Sequence, residues 1–196
     1  MWPWEHLALG YLAYRGYLAV RRRPAPSEGP VIVLLLATQV PDLVDKPLAW
    51  SLGVLPSATS LGHSVFVAGG VVLAAWGLGR RLETPWLGPV VGIGYATHLL
   101  GDVLYPVLLG LGFGVGYLLW PVVPQASTPP TSFGARFLDL LGDFLAFLAT
   151  PRGMAYLLGE LVFVGSAVAL WFRDGLPGAA RIRWLLYGWV RPSRNR

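Results

Sequence analysis

Apolar residues along this chain gather into blocks as long as bilayer-crossing helices, separated by short runs of charge, Gly and Pro. The first block runs from about Trp4 to Val20 and is stopped by Arg21, Arg22 and Arg23, then by a linker reaching Pro30. A second begins at about Val31, but its run VIVLLLATQV meets Pro41 within about three turns. That is too short to span, so the pattern predicts a broken helix continuing through PDLVDKPLAW, and breaks at membrane depth line cavities. Gly62 to Gly79, closed by Arg80 and Arg81, and Trp86 to Leu109 read as spanning helices, as does Met154 to Phe172. Between them lie an uncharged Gly/Pro-rich stretch from Gly110 to Pro130 and an amphipathic segment, Phe133 to Ala149. Asp139 and Asp143 form the solvated face of that segment, which suits an interfacial helix.

The expected fold is therefore all-α, a polytopic transmembrane helical bundle of about five spanning helices plus one interfacial helix. We expect a single integral membrane domain over residues 1–196. Its parts are 1–110 with the polar motifs, 111–152 as extracytoplasmic loop and interfacial helix, and 153–196 as last span and basic cytoplasmic tail. Composition agrees, since 55% hydrophobic and 13% charged residues depart from soluble averages in the direction of a membrane chain. The first block carries Glu5, His6 and Arg15 and has no preceding base, so it reads as a retained helix rather than a cleaved signal.

A net charge of +5 does not imply nucleic acid here, because the basic residues follow loop parity. Arg21, Arg22, Arg23, Arg80, Arg81, Arg173, Arg181, Arg183, Arg191, Arg194 and Arg196 fall on one side, and only Lys46, Arg136 and Arg152 on the other. The expected location is the cell (plasma) membrane, multi-pass, with the N-terminus outside and the C-terminus cytoplasmic. The lipid bilayer is the expected partner, and the basic tail would meet anionic headgroups.

Against this apolar background stand three histidines, His6, His63 and His98, and the carboxylates Asp42, Asp45, Asp102 and Glu160. A rise of about 1.5 Å per residue, counted from the cytoplasmic end of each block, puts them roughly 18–26 Å up, in one layer of the outer half of the membrane. His98 and Asp102 at i and i+4 share a helical face, and Asp42 and Asp45 at i and i+3 do likewise. With no cysteine, a metal site must use nitrogen and oxygen, a donor set that suits a divalent transition metal, zinc or manganese foremost, as one or two ions. Such a cation acidifies bound water and polarises a phosphoryl or carbonyl oxygen, and a spare carboxylate, Asp45 or Glu160, would act as general base.

The residues WEHLALGYL, TQVPDLVDKPLAW, LGHSVF and ATHLLGDVLYP, in that order over about residues 1–110, resemble the prokaryotic family of membrane-bound metal-dependent hydrolases. The resemblance implies His6, Asp42, Asp45, His63, His98 and Asp102 as metal ligands. The chain departs from it at Ala58, Thr59 and Gly62, where relatives carry His, Arg and Thr. The function so implied is hydrolysis of an ester or phosphoester, on a lipid-like or small phosphoester substrate at the outer leaflet. A non-catalytic metal- or proton-handling membrane protein, a transporter or regulator, remains the alternative, with a scaffold held by buried polar contacts as a third. A Ser64, His98 and Asp102 triad is also conceivable, although no nucleophile elbow surrounds Ser64.

Overall fold

The computed structural model describes residues 1–187, which are helical with no strand. Helix α1 (Pro3–Val20) starts on a proline in its first turn, where no backbone donor is lost, and Glu5 reaches back to accept from the Trp2 amide at 2.5 Å. The second block is broken as its prolines require. Helix α2 (Glu28–Ala37) ends at Thr38, α3 (Val40–Lys46) restarts with Pro41 in its first turn, and one π-helical turn (Pro47–Ser51) follows. Helix α4 (Val65–Arg81) is capped by the Ser64 hydroxyl, which accepts from the Phe66 amide. Helix α5 (Leu87–Leu109) contains Pro106 and stops at Gly110, whose φ of +81° suits glycine. After a short 3₁₀ turn (Gly116–Leu119) come α6 (Phe133–Leu148), α7 (Pro151–Arg173) and α8 (Ala179–Tyr187). Arg191, Arg194 and Arg196 lie outside the described residues.

Helix α5 is the centre of the bundle and packs on α1, α2 and α4, while α7 lies against α1. Tyr14, Leu18, Leu34 and Val90 form the apolar core at the three-helix junction of α1, α2 and α5. Two glycines set approaches that matter to the site. A Cβ on Gly94 would stand 2.7 Å from the Ala37 Cβ, so the absence of one lets α5 close on α2. A Cβ on Gly62 would meet the Pro41 carbonyl at 2.7 Å, so the segment before α4 lies flat on α3.

Among the described residues two helices, α5 and α7, are long and apolar enough to cross a membrane. This corrects the expectation of about five complete spans. Helix α1 has 18 residues but is diluted by Glu5, His6 and Arg15, and α4 has 17. The second block is divided into pieces of 10 and 7 residues. Polar residues thus lower the hydropathy of α1 and prolines divide the second block, whereas α5 carries His98 and Asp102 and still has the length and hydropathy of a span. Of the most apolar window in each, 44% of α5 is buried in protein and only 6% of α7. Helix α7 therefore turns Leu158, Leu161 and Val162 outward, and α4 does the same with Phe66, Leu73 and Trp76.

Candidate metal centre

Asp42 from α3, His63 from the segment before α4, and His98 and Asp102 from α5 each aim a donor atom at one point. These four atoms all lie within 4.8 Å of one another. His63 Nε2 is 3.1 Å from His98 Nε2, 3.1 Å from Asp102 Oδ2 and 3.6 Å from Asp42 Oδ1, and His98 Nε2 is 3.2 Å from Asp102 Oδ2. A tetrahedral zinc ion with bonds of about 2.0–2.1 Å would hold its donors about 3.3 Å apart. The four spacings given bracket that value, so the group could hold a metal ion.

The far side of each imidazole decides what the near side offers. His98 Nδ1 stands 2.7 Å from the Thr38 carbonyl, which can only accept, so Nδ1 carries the proton and Nε2 presents a lone pair. His63 Nδ1 stands 2.8 Å from Asp45 Oδ2. Asp45 is fully buried and also accepts from the Ser60 and Gly62 amides at 2.7 Å each and from the His63 amide at 3.3 Å, the environment of an ionised, acceptor-only carboxylate. In the neutral ring His63 therefore donates from Nδ1, and its Nε2 is bare as well. With both rings neutral, two imidazole lone pairs and two carboxylate oxygens converge.

The broken second block makes this possible. Because α2 stops at Ala37, the Thr38 carbonyl is released from the helical ladder to orient His98, and α3 then presents Asp42 and Asp45 to opposite tasks. Lys46, one turn on, holds Asp42 Oδ2 at 2.5 Å and leaves Oδ1 for the centre. The second oxygen of Asp102, Oδ1, meets the Met1 amino group at 2.6 Å and lies 3.3 Å from His6 Nε2.

His6 sits beside the four donors rather than among them. Its fully buried ring stacks on His98 with centroids 3.9 Å apart, and neither of its nitrogens has a hydrogen-bond partner. Ser64 uses its hydroxyl to donate to the Trp120 carbonyl at 2.6 Å. Glu160 lies elsewhere, accepting from Trp4 Nε1 at 2.5 Å in a group where Tyr156 donates to Glu5.

Tyr117 was not foreseen from the sequence. It sits in the 3₁₀ turn with its ring edge-on to His63, centroids 6.2 Å apart, and its buried hydroxyl has no partner. Burial pushes its phenol pKa up and the Asp102 carboxylate pushes it further. One aromatic in an uncharged Gly/Pro-rich stretch carries no signal that would have singled it out. The Thr38 carbonyl and the Ser60 and Gly62 amides were equally invisible, being backbone groups.

The family model described as YdjM inner membrane protein matches residues 1–175. The chain belongs to that family. The match begins before α1 and ends just beyond α7, so all four donors of this YdjM-family chain, with Asp45 and Thr38, fall inside it. It supports the resemblance at the level of a prokaryotic inner-membrane family. No curated protein and no solved structure gives a match.

Proposed function

We propose that Asp42, His63, His98 and Asp102 bind one divalent transition metal, zinc or manganese, and that this YdjM-family protein hydrolyses an ester or phosphoester at the outer leaflet. The observation that carries the proposal is the convergence of four lone-pair donors at coordination-shell spacing, with both imidazole N–H groups directed away. Bound there, the cation supplies a Lewis acid that polarises a carbonyl or phosphoryl oxygen and acidifies water towards neutral pH. The protein supplies the orientation. Thr38 and Asp45 lock the two rings in the tautomer that exposes Nε2, and Lys46 holds Asp42 in register.

In this scheme Asp45 is a positioning residue, since every one of its contacts is to an amide or to His63, and Glu160 belongs to the separate group around Trp4. His6 stands ready next to Asp102 Oδ1, where a second ion would bind. A lipid-like substrate follows from the setting: an inner-membrane family, an apolar periphery and a centre buried within the helices. The bilayer is then both solvent and substrate source.

The test is metal analysis of detergent-purified protein beside His98→Ala, followed by hydrolysis of lipid and phosphoester panels. Stoichiometric metal lost in the variant, with hydrolysis by the wild type, is the expected result. Absence of metal from both proteins sinks the proposal. Metal without hydrolysis favours the transport or regulatory alternative. The proposed orientation, N-terminus outside and C-terminus cytoplasmic, is checked by single cysteines near Ser57 and Arg80 in this cysteine-free chain, which should label from opposite sides.

A further inference from the structure

The stretch between α5 and α6 is mostly irregular, yet one part of it is fixed against the centre. Ser64 follows the donor His63 directly and donates its hydroxyl to the Trp120 carbonyl at 2.6 Å. That bond ties the 3₁₀ turn Gly116–Leu119 to the start of α4. It also uses the Ser64 proton in a structural contact, which argues against Ser64 as a nucleophile.

The turn so held presents Tyr117. Its ring meets the His63 imidazole edge-on, at an interplanar angle of 69°, and its hydroxyl is buried with no donor or acceptor in reach. Buried tyrosine hydroxyls find partners, because a hydrogen bond left unmade away from solvent is unfavourable. A polar group left open beside a cluster of donors points to a partner that the chain itself does not supply.

We propose that Tyr117 is the oxyanion-binding donor of this centre, its phenol O–H donating to an oxygen of the ester or phosphoester that reacts there. The inference rests on the metal-centre reading and adds the group that recognises the substrate. The cation and the phenol would address the same acyl or phosphoryl oxygens from two sides. Preorganised donors of this kind are worth about 10²–10³ in rate. Ser64 then serves as a positioning residue, holding the turn over His63.

Calorimetric titration of inorganic phosphate into the zinc-loaded, detergent-solubilised full chain tests this, with metal content measured on every sample. Tyr117→Phe should retain wild-type zinc and bind phosphate about tenfold more weakly, the loss of roughly one hydrogen bond. Ser64→Ala, which frees the turn but keeps the phenol, should weaken phosphate less and also keep its zinc. Wild-type phosphate affinity in Tyr117→Phe overturns the proposal, as does a zinc-loaded wild type that binds no phosphate. Loss of zinc from Tyr117→Phe overturns it as well, since the residue would then be structural. A wild-type protein without zinc fails the metal-centre reading itself, and the metal measurement separates that result from the others.

Discussion

Asp45→Asn probes the arrangement most directly, because it changes what orients His63 while leaving all four donors in place. The two Asp45 oxygens are unequal. Oδ1 accepts from the Gly62 amide alone, whereas Oδ2 accepts from the Ser60 amide, the His63 amide and His63 Nδ1. An asparagine keeps one acceptor, and three donors against one place its oxygen at the Oδ2 position and its NH2 against Gly62. The stability cost is then one unsatisfied buried amide, about 1–3 kcal/mol. His63 keeps its tautomer but loses the charge behind it, and outer-shell changes of this type lower metal affinity about 10–100-fold, or 1.4–2.7 kcal/mol. Alanine would strand all three amides and the ring N–H together, about 4–12 kcal/mol before relaxation, which approaches a domain's whole stability of about 5–15 kcal/mol and makes that variant uninformative. The assay is chelator competition on folded, detergent-purified protein, with thermal unfolding measured in parallel. Unchanged metal affinity in Asp45→Asn would refute the orienting role. Loss of metal as complete as in His98→Ala, with the fold intact, would instead make Asp45 a ligand.

Gly94→Ala puts a methyl 2.7 Å from the Ala37 Cβ and must push α5 off α2 one turn below His98, so overpacking of about 1–3 kcal/mol and a weaker metal site are expected together. Thermal unfolding and metal content check it, and a variant unchanged in both would contradict the close approach. Asp174→Ala removes the acceptor shared by Tyr11 Oη at 2.8 Å and Arg15 Nε at 3.0 Å, on a carboxylate only 3% exposed, and should lower stability by about 1–3 kcal/mol without altering metal content. An unmoved unfolding midpoint would refute it. Metal analysis should return one ion per chain, unchanged in His6→Ala; two ions falling to one in that variant would mean that His6 and Asp102 Oδ1 hold a second.

Helical periodicity and rise made much of this legible. The ends of α1 and α5, the break in the second block, the shared face of His98 and Asp102 and the common height of the polar residues all follow from spacing along a helix. Rise gives height and not rotation, however. Glu160 has the height of the layer, but α7 turns it to Trp4. Asp42 and Asp45 look equivalent at i and i+3, and what separates them is a loop: residues 60–63 fold back so that their amides take up Asp45, while Asp42 faces the donors. Backbone groups placed by tertiary contact leave no pattern in side-chain identity. The number of spans was obscured because Glu5, His6 and Arg15 lower the hydropathy of α1 and the break that presents Asp42 and Asp45 divides the second block.

The tautomers also separate a metal centre from buried polar glue. Two histidines joining helices structurally would hydrogen-bond each other, an N–H on one ring facing the lone pair of its neighbour. Here Nδ1 of each ring already faces a partner, the Thr38 carbonyl and Asp45, so with both rings neutral the 3.1 Å between the two Nε2 atoms separates lone pairs. Two carboxylate oxygens face the same gap, while the second oxygens of Asp42 and Asp102 meet Lys46 and the Met1 amino group. A divalent cation would draw on all four donors, which lie within 4.8 Å of one another. The donors' orientation, set from behind by groups on α2 and α3, is thus that of a group able to hold a metal ion, as proposed above.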